Sequence, residues 1–530
     1  MFSHPAAVVL HRRVSALAIV TVACGAGDCL AQQRTPPPAG FPVSLDAYIA
    51  KAVRDWEVPG LAITVVRNDS VLVAKGYGVR ELGKPERVDE NTVFSTASLT
   101  KSFTATAAAM LVDEGKLGWD APARRYLPTL VFRDPYLTDQ VTVRDLLAHR
   151  TGLRAANMSW ALTGIDRAEV LRRARYLEAE APLRTRMVYS NVGYAIAGEA
   201  IGAAAGMPYE DVVRQRIFTP LGMRSTTIGH AGAERSANRV MPHAMIGGVQ
   251  RPIPWRDIDV IAPAGSVNST AADMAQWLRF QLGDGTFAGK RLLSAEGLWE
   301  IHSPQLAIAP SPAFKAARMM EGIGAYALGW NVMDYRGHPL IWHTGNADGM
   351  PAFMAILPKE RLGVVIMLNT WGAGQLHTLL MNRVLDEYLG YPPRDYSGEA
   401  LPRKAAIRDG YDYAANVQRL AATRVSGTAP SHPLAAYAGV YVDSLYGPQT
   451  VALENGHLTL RMGRGEVADL SHWHYDTFLA TWRDPLFREV YVALLTFSAG
   501  ADGRVTRLTG QINRDVIRAE RVAAPVSAAP

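Results

Sequence analysis

Nine lysines stand against 46 arginines in this 530-residue chain, and one of the nine, Lys101, lies three residues after a serine. No other lysine has that neighbour. The surrounding stretch, "STASLTKSFTATAAAML" from Ser95 to Leu111, reads as a helix that is small and apolar on most sides. Positions three apart on a helix share a face, one turn apart. A serine hydroxyl is a weak nucleophile until a nearby base takes its proton. A lysine ammonium cannot do this, but burial disfavours its charge and lowers its pKa. Ser98 and Lys101 at the buried N-terminal end of an apolar helix can therefore act as nucleophile and base. Backbone N–H groups at that end supply positive potential for a developing oxyanion. Alone, S-x-x-K equally describes a surface helix with a snorkelling lysine.

Two further motifs follow in order. "YSN", Tyr189-Ser190-Asn191, begins 91 residues after Ser98 and is the one Y-x-N in the chain. By itself it also reads as a helix N-cap, since "SNVGYAIAGEAIG" opens a helix. "HTG", His343-Thr344-Gly345, begins 154 residues later on a strand candidate and is followed by Asn346. By itself it reads as an edge-strand turn.

Together, over about residues 42–392, the three resemble the signature of the penicillin-binding-protein and serine β-lactamase superfamily: S-x-x-K, Y-x-N, K/H-T-G. The phrases "VTVRDLLAHRTGL", "YSNVGYAIAGEAIG", "RIFTPLGMRSTT", "PAGSVNSTAADMAQWL" and "HTGNADGMPAFMAILPKERLGVVIMLN" resemble its class-C-like branch of esterases, D-amino-acid peptidases and carboxypeptidases. The resemblance implies that Ser98 is the acylated nucleophile and Lys101 its proton partner. Tyr189 shares that proton traffic and activates the deacylating water; which of Lys101 and Tyr189 is the formal base stays open, since such groups titrate together. Asn191 would hold the substrate's amide and steady Lys101. The N–H groups of Ser98 and Asn346 would form the oxyanion hole, and His343, Thr344 and Gly345 would border the substrate. His343 stands where β-lactamases usually carry a lysine. A lysine offers a permanent charge to the carboxylate of a β-lactam, whereas histidine is largely neutral at about pH 7. This points away from a dedicated β-lactamase, and no E-x-x-L-N stretch of the class A type follows the second motif. The mechanism implies no metal or organic cofactor.

The elements that must position these residues are legible in outline. A helix is expected from about Ser44 to Trp56, then a hairpin around "RNDS" in "GLAITVVRNDSVLVAKGYGV". From Phe94 to about Leu282 the pattern is largely helical. Strands return in "PLIWHTGN", "AFMAILP" and "LGVVIMLNT", and the helix "GQLHTLLMNRVLDEYLG" follows. The expected fold is α/β: an antiparallel sheet, begun by N-terminal strands and completed by C-terminal ones, flanked by helices, with an inserted all-α region. This hydrolase domain spans 42–392, a polar linker 393–431, and a small antiparallel β-barrel 432–525. The barrel resembles the lipocalin-like domain that some members of the superfamily append.

Composition sets the remaining bounds. Hydrophobic residues are 48% and charged residues 20%, ordinary for a soluble globular chain. The net charge of +6 comes without any Lys/Arg run, so nucleic acid is not an expected partner. Residues 1–31 read as a secretory signal: Arg12 and Arg13, the apolar "VSALAIVTVACGAG", then small residues Cys29 and Ala31. Cys24 and Cys29 are the only cysteines, so cleavage after Ala31 leaves a chain without disulfides. "TVAC" is a poor match to a lipid-attachment motif at Cys24. No later apolar run is long enough to span a membrane, and the expected location is the periplasm or the exterior. His149, in "LAHRTGL", reads as a structural helix-end residue near the site. His472 and His474 share a strand face without an evident third metal ligand. The expected activity is an exported serine hydrolase acting through an acyl-enzyme on amide bonds of small or unusual peptides, D-residue-containing ones included. A carboxylesterase or β-lactamase with the same machinery is the alternative. A non-catalytic binding or sensor protein is the alternative of another class, and the intact Ser98, Lys101, Tyr189 set argues against it. The substrate is a small molecule or peptide; oligomeric state is not legible.

Overall fold

The computed structural model describes residues 36–309, 324–404, 413–463, 465–512 and 515–522. The expected signal segment 1–31, with Cys24 and Cys29, lies outside the described residues.

Helix α1 (Val43–Asp55) turns Leu45, Ile49, Ala52 and Val53 inward. Strands β1 (Gly60–Arg67) and β2 (Ser70–Gly78) form the expected hairpin. Asn68 and Asp69 at its tip take φ of 50° and 66°, which those two residue types tolerate best. Six more strands complete the main sheet: β3 (Leu306–Ile308), β4 (Gly324–Tyr326), β5 (Asn331–Tyr335), β6 (His338–Ala347), β7 (Met350–Leu357) and β8 (Leu362–Leu368). Their order is β3-β4-β5-β6-β7-β8-β1-β2, antiparallel throughout, with Leu61 opposite Leu368 and Val65 opposite Val364. The chain thus begins the sheet at one edge, leaves it at Gly78 and returns at Leu306 to finish it.

The sheet is covered on both faces, and alternate residues divide between the two. Leu61, Ile63, Val364 and Ile366 pack under α1 and α5 (Leu376–Leu389), together with Trp56, Leu380 and Val384. Ala62, Val66, Val365 and Met367 face the helical insert. The insert contains α2 (Thr100–Asp113), α3 (Asn191–Ala205) and α4 (Ala271–Leu282). Phe103 of α2 stacks on Trp277 of α4 at 3.9 Å between ring centroids, joining the two helices over the sheet.

Eight strands then close into a barrel: β9 (Gly439–Asp443), β10 (Gly447–Glu454), β11 (His457–Met462), β12 (Glu466–His474), β13 (Thr477–Trp482), β14 (Ala493–Ala499), β15 (Val505–Ile512) and β16 (Asp515–Arg521). A short helix, α6 (Pro485–Val490), interrupts it after β13. The sequence pattern had run "REVYVALLTFSA" together as one strand; its first residues belong to α6, which Asp484 caps by accepting from Phe487 N–H at 2.8 Å. The segment read as a polar linker holds helical turns at Tyr396–Ala400 and Tyr413–Ala421. Tyr396 is buried and its hydroxyl donates to Asp386 of α5 at 2.6 Å, while Tyr413 shares a hydrogen bond with Thr481 of the barrel.

Candidate active site

Ser98 sits in a 3₁₀ turn, Ala97–Leu99, immediately ahead of α2. Ala97 holds the left-handed conformation at φ 48°, an uncommon position for a residue with a Cβ. The hydroxyls that make "TKSFT" look polar are satisfied locally. Thr100 Oγ1 donates to Ala97 O at 2.6 Å and Ser102 Oγ to Leu99 O at 2.7 Å, so α2 is buried from Thr100 to Leu111.

Lys101 is among these buried residues. Its Nζ lies 3.0 Å from Ser98 Oγ, 2.9 Å from Asn191 Oδ1 and 2.8 Å from Ala264 O. No carboxylate is among these partners, and burial holds its pKa well below the ordinary lysine value. A neutral amine has two N–H donors and one lone pair. The two oxygens that can only accept, those of Asn191 and Ala264, take the donors. The lone pair is then left facing the Ser98 hydroxyl.

Tyr189 donates from its hydroxyl to Ser98 Oγ at 3.0 Å. The residue is 37% exposed overall, but its hydroxyl is desolvated, and this raises its pKa despite the Ser98 hydrogen bond. Tyr189 is therefore a phenol, not a phenolate, at neutral pH. Ser190 caps α3 by accepting from Gly193 N–H, so both readings of "YSN" hold: an N-cap flanked by Tyr189 and Asn191. His149 follows the helix Val143–Leu147 at φ 54°. It accepts the Ser190 N–H on Nδ1 at 3.1 Å and packs its ring 4.2 Å from that of Tyr189.

His343 lies on β6. Its Nδ1 is 2.6 Å from Thr344 O, which only accepts, so Nδ1 carries the proton. Nε2 then accepts from Tyr326 OH at 3.1 Å. Burial first, and then the nearby Lys101, lower the His343 pKa to about 3. Gly345 brings β6 close to the Ser98 turn: a Cβ there would stand 2.3 Å from Thr96 O and 3.2 Å from Ser98 N. The β5 partner strand reaches only to Trp342, which pairs with Asn331, and β6 continues past the Ser98 turn. Asn346 lines the cleft with Ser98 and Asn191, and its Oδ1 accepts from Trp371 Nε1.

The structure thus gathers Ser98, Lys101, Tyr189, Asn191, His343, Gly345 and Asn346 within one cleft and its floor, with Thr344 between them on β6. Sequence reasoning missed the Ala264 carbonyl and Tyr326. A backbone carbonyl has no side-chain signature, and one tyrosine among 20 carries no motif. His472 Nε2 faces Tyr475 O and His474 Nδ1 accepts from Val425 N–H. Among the described residues no group of three or more His, Cys, Asp or Glu could hold a metal.

The sheet, its helical insert and this cluster are those of an S-x-x-K serine hydrolase. The Beta-lactamase family model matches residues 45–386, well over half the chain, and the protein belongs to the β-lactamase family of serine hydrolases. A second model, a domain of unknown function (DUF3471), matches residues 423–521 and so covers the barrel. Unguisins hydrolase ungD of Aspergillus violaceofuscus is 29% identical over 77% of this chain and 76% of its own. The octameric penicillin-binding protein homologue of Pyrococcus abyssi superposes with a TM-score of 0.59 at 20% identity, covering 90% of this chain and 99% of that one. The D-amino acid amidase of Ochrobactrum anthropi SV3 superposes with a TM-score of 0.54 at 24% identity, over 65% and 98% respectively. These two structural likenesses concern the fold.

Proposed function

We propose that this protein hydrolyses amide bonds of small or unusual peptides, D-residue-containing ones included, through an acyl-enzyme on Ser98. The observation that carries the reading is Lys101: buried, without a carboxylate among its hydrogen-bond partners, and 3.0 Å from Ser98 Oγ. Lys101 takes the Ser98 proton as Oγ attacks the carbonyl carbon. The N–H groups of Ser98 and Asn346 receive the oxyanion, and the Asn191 side-chain amide nitrogen meets the substrate's own amide oxygen. Collapse of the tetrahedral intermediate breaks the C–N bond. Tyr189 gives its proton to the departing amine and recovers one from the Lys101 ammonium. Water then attacks the ester and returns Ser98, with the same two groups moving its protons in reverse.

An amine needs a proton to leave, whereas an alkoxide or phenoxide depends on one less. The desolvated Tyr189 phenol on the Ser98 oxygen is the donor that amide cleavage requires, which favours amides over esters. Two of the similar proteins agree in direction, one an unguisins hydrolase and one a D-amino acid amidase. His343 is buried and neutral beneath Tyr326 and offers no cation to a β-lactam carboxylate. We further propose export, on the order Arg12-Arg13, apolar run, Ala31; N-terminal sequencing of the secreted product, beginning at Gln32, tests it.

The experiment is a hydrolysis panel: D- and L-aminoacyl amides, linear peptides, p-nitrophenyl esters and nitrocefin. Amides are expected to be turned over, and Ser98→Ala to lose roughly 10⁴-fold or more in kcat on them while keeping the wild-type melting temperature. Near wild-type activity in Ser98→Ala, or turnover confined to nitrocefin, would overturn the reading.

A further inference from the structure

The cleft beside Ser98 has a second half that the reaction does not use. Trp160, Trp255, Ile258, Met350, Phe487 and Tyr491 line it, drawn from the insert, the sheet and the barrel. Tyr189 and His343 do not line it. Tyr189 is the proton donor to the departing amine, so the amine leaves on its side of Ser98. The half lined by the aromatic residues therefore lies on the acyl side.

Its guanidinium, Arg256, is already paired, and its carboxylate Asp259 is held by a backbone N–H rather than by a cation. The guanidinium of Arg256 is hydrogen-bonded to Asp348 and sits over the Phe487 ring, with its central carbon 4.0 Å from the ring centroid. Asp259 accepts the His230 N–H on both oxygens, at 2.9 and 3.0 Å. An acidic side chain entering here would lose its water without gaining a free cation, which is costly. An apolar one would exchange water for aromatic faces.

Two of the walls are set by the barrel. Phe487 and Tyr491 sit at α6 with their rings 5.1 Å apart, edge to face. The other side of α6 is pinned to the hydrolase domain: Leu486 packs against Ala244 and Ile253, and Glu489 accepts from Gly247 N–H at 3.1 Å. Trp160 rides on the short helix Met158–Ala161, whose first N–H donates to the buried Asp515 of β16 at 2.9 Å. Gly463 of the barrel touches the same segment, where a Cβ would stand 2.0 Å from Leu162 O.

From this arrangement we infer that the cleft selects substrates whose acyl residue carries a bulky, uncharged, apolar side chain, and that Phe487 and Tyr491 of the barrel are specificity-determining residues. The inference rests on the acyl-enzyme reading of Ser98. The same full-length chain, and its Phe487→Ala, Tyr491→Ala and Phe487→Leu variants, are to be assayed on the D and L amides of phenylalanine, alanine and glutamate. The wild type is expected to prefer phenylalanine amide over both others. Phe487→Ala and Tyr491→Ala should each lower the phenylalanine-to-alanine ratio of kcat/KM by tenfold or more. Phe487→Leu, which keeps apolar bulk, should stay within threefold of wild type. Fluorophosphonate labelling of Ser98, mapped by mass spectrometry, separates the two levels. An unlabelled Ser98 in the wild type overturns the acyl-enzyme reading itself. A labelled Ser98 with no preference for phenylalanine over alanine, or with a ratio indifferent to Phe487→Ala and Tyr491→Ala, overturns the pocket alone.

Discussion

A lysine whose amine nitrogen meets only neutral oxygens is shifted toward the uncharged form by its surroundings, and two consequences follow at the residue scale. The first concerns rate. Below the lowered Lys101 pKa the amine carries a proton and Ser98 loses its acceptor, so kcat/KM should rise with pH along an acid limb set by Lys101. His343, at about 3, and His149, pushed well below the usual imidazole value by burial, are neutral at about pH 7. His343→Asn is therefore expected to leave the midpoint of that limb in place, and a midpoint that moves would assign the titration to the imidazole. The second concerns stability. The unfolded chain keeps the Lys101 proton up to about pH 10.4 and the folded chain releases it lower, so unfolding takes up a proton in between and stability increases with pH there. Denaturation melts taken upward to about pH 10.4 should show that positive slope, and Lys101→Met should flatten it; an identical slope in the variant would mean that the Lys101 pKa is not lowered in the fold. His343→Lys adds an amine that a substrate carboxylate would draw into its charged form. It is expected to raise kcat/KM for nitrocefin relative to a neutral ester, and an unchanged ratio would place position 343 away from the substrate carboxylate. Ser98, Lys101, Tyr189, Asn191 and His343 were legible in the sequence because their side chains form motifs whose residue types and spacing few other stretches share. The Ala264 carbonyl, which takes one of the two Lys101 donors, was not, since only the folded backbone brings it there.

At the scale of elements, the site depends on how tightly β6 passes the turn that holds Ser98. Gly345 is what permits it: its missing side chain leaves room for Thr96 O and Ser98 N. Gly345→Ala should push β6 away, and an error of about 1 Å in such a site costs on the order of 100-fold in rate. The expected outcome is a loss of that size in kcat/KM for an amide, together with a melting temperature a few degrees below wild type; full activity would show that β6 does not border the reaction. The long strands and helices were readable from apolar runs, as with "AFMAILP", buried on both faces. Strands β3 to β5 were not. They are three to five residues long, and "GAYALGW" has no alternation to mark a strand; their pairing is imposed by the neighbouring β6. The eighth barrel strand, β16, carries Arg518, Glu520 and Arg521 among its seven residues, and those charges hid the inward Ile517 and Ala519.

At the scale of the whole molecule, the barrel is bound to the hydrolase domain rather than merely tethered. Met158 donates to Asp515, Arg173 to Leu445 O, and Arg256 stacks on Phe487. The sequence suggested a separately folded unit, because a polar linker separates two patterns; contacts between distant segments leave no such trace. Removing residues after Pro402 should lower the melting temperature of the remaining chain by about 5 °C or more and weaken its discrimination between long and short peptides. An unaltered melting temperature together with an unaltered long-to-short ratio would make the barrel a passenger. The central claim, that Ser98 carries the acyl group during amide hydrolysis, is tested most directly by intact-mass spectrometry of the full-length chain, acid-quenched during turnover of a slowly deacylated aminoacyl amide. The expected result is a mass increase equal to the acyl group, located by peptide mapping on Ser98 and absent from Ser98→Ala. An adduct on another residue, or undiminished turnover by Ser98→Ala, would contradict it.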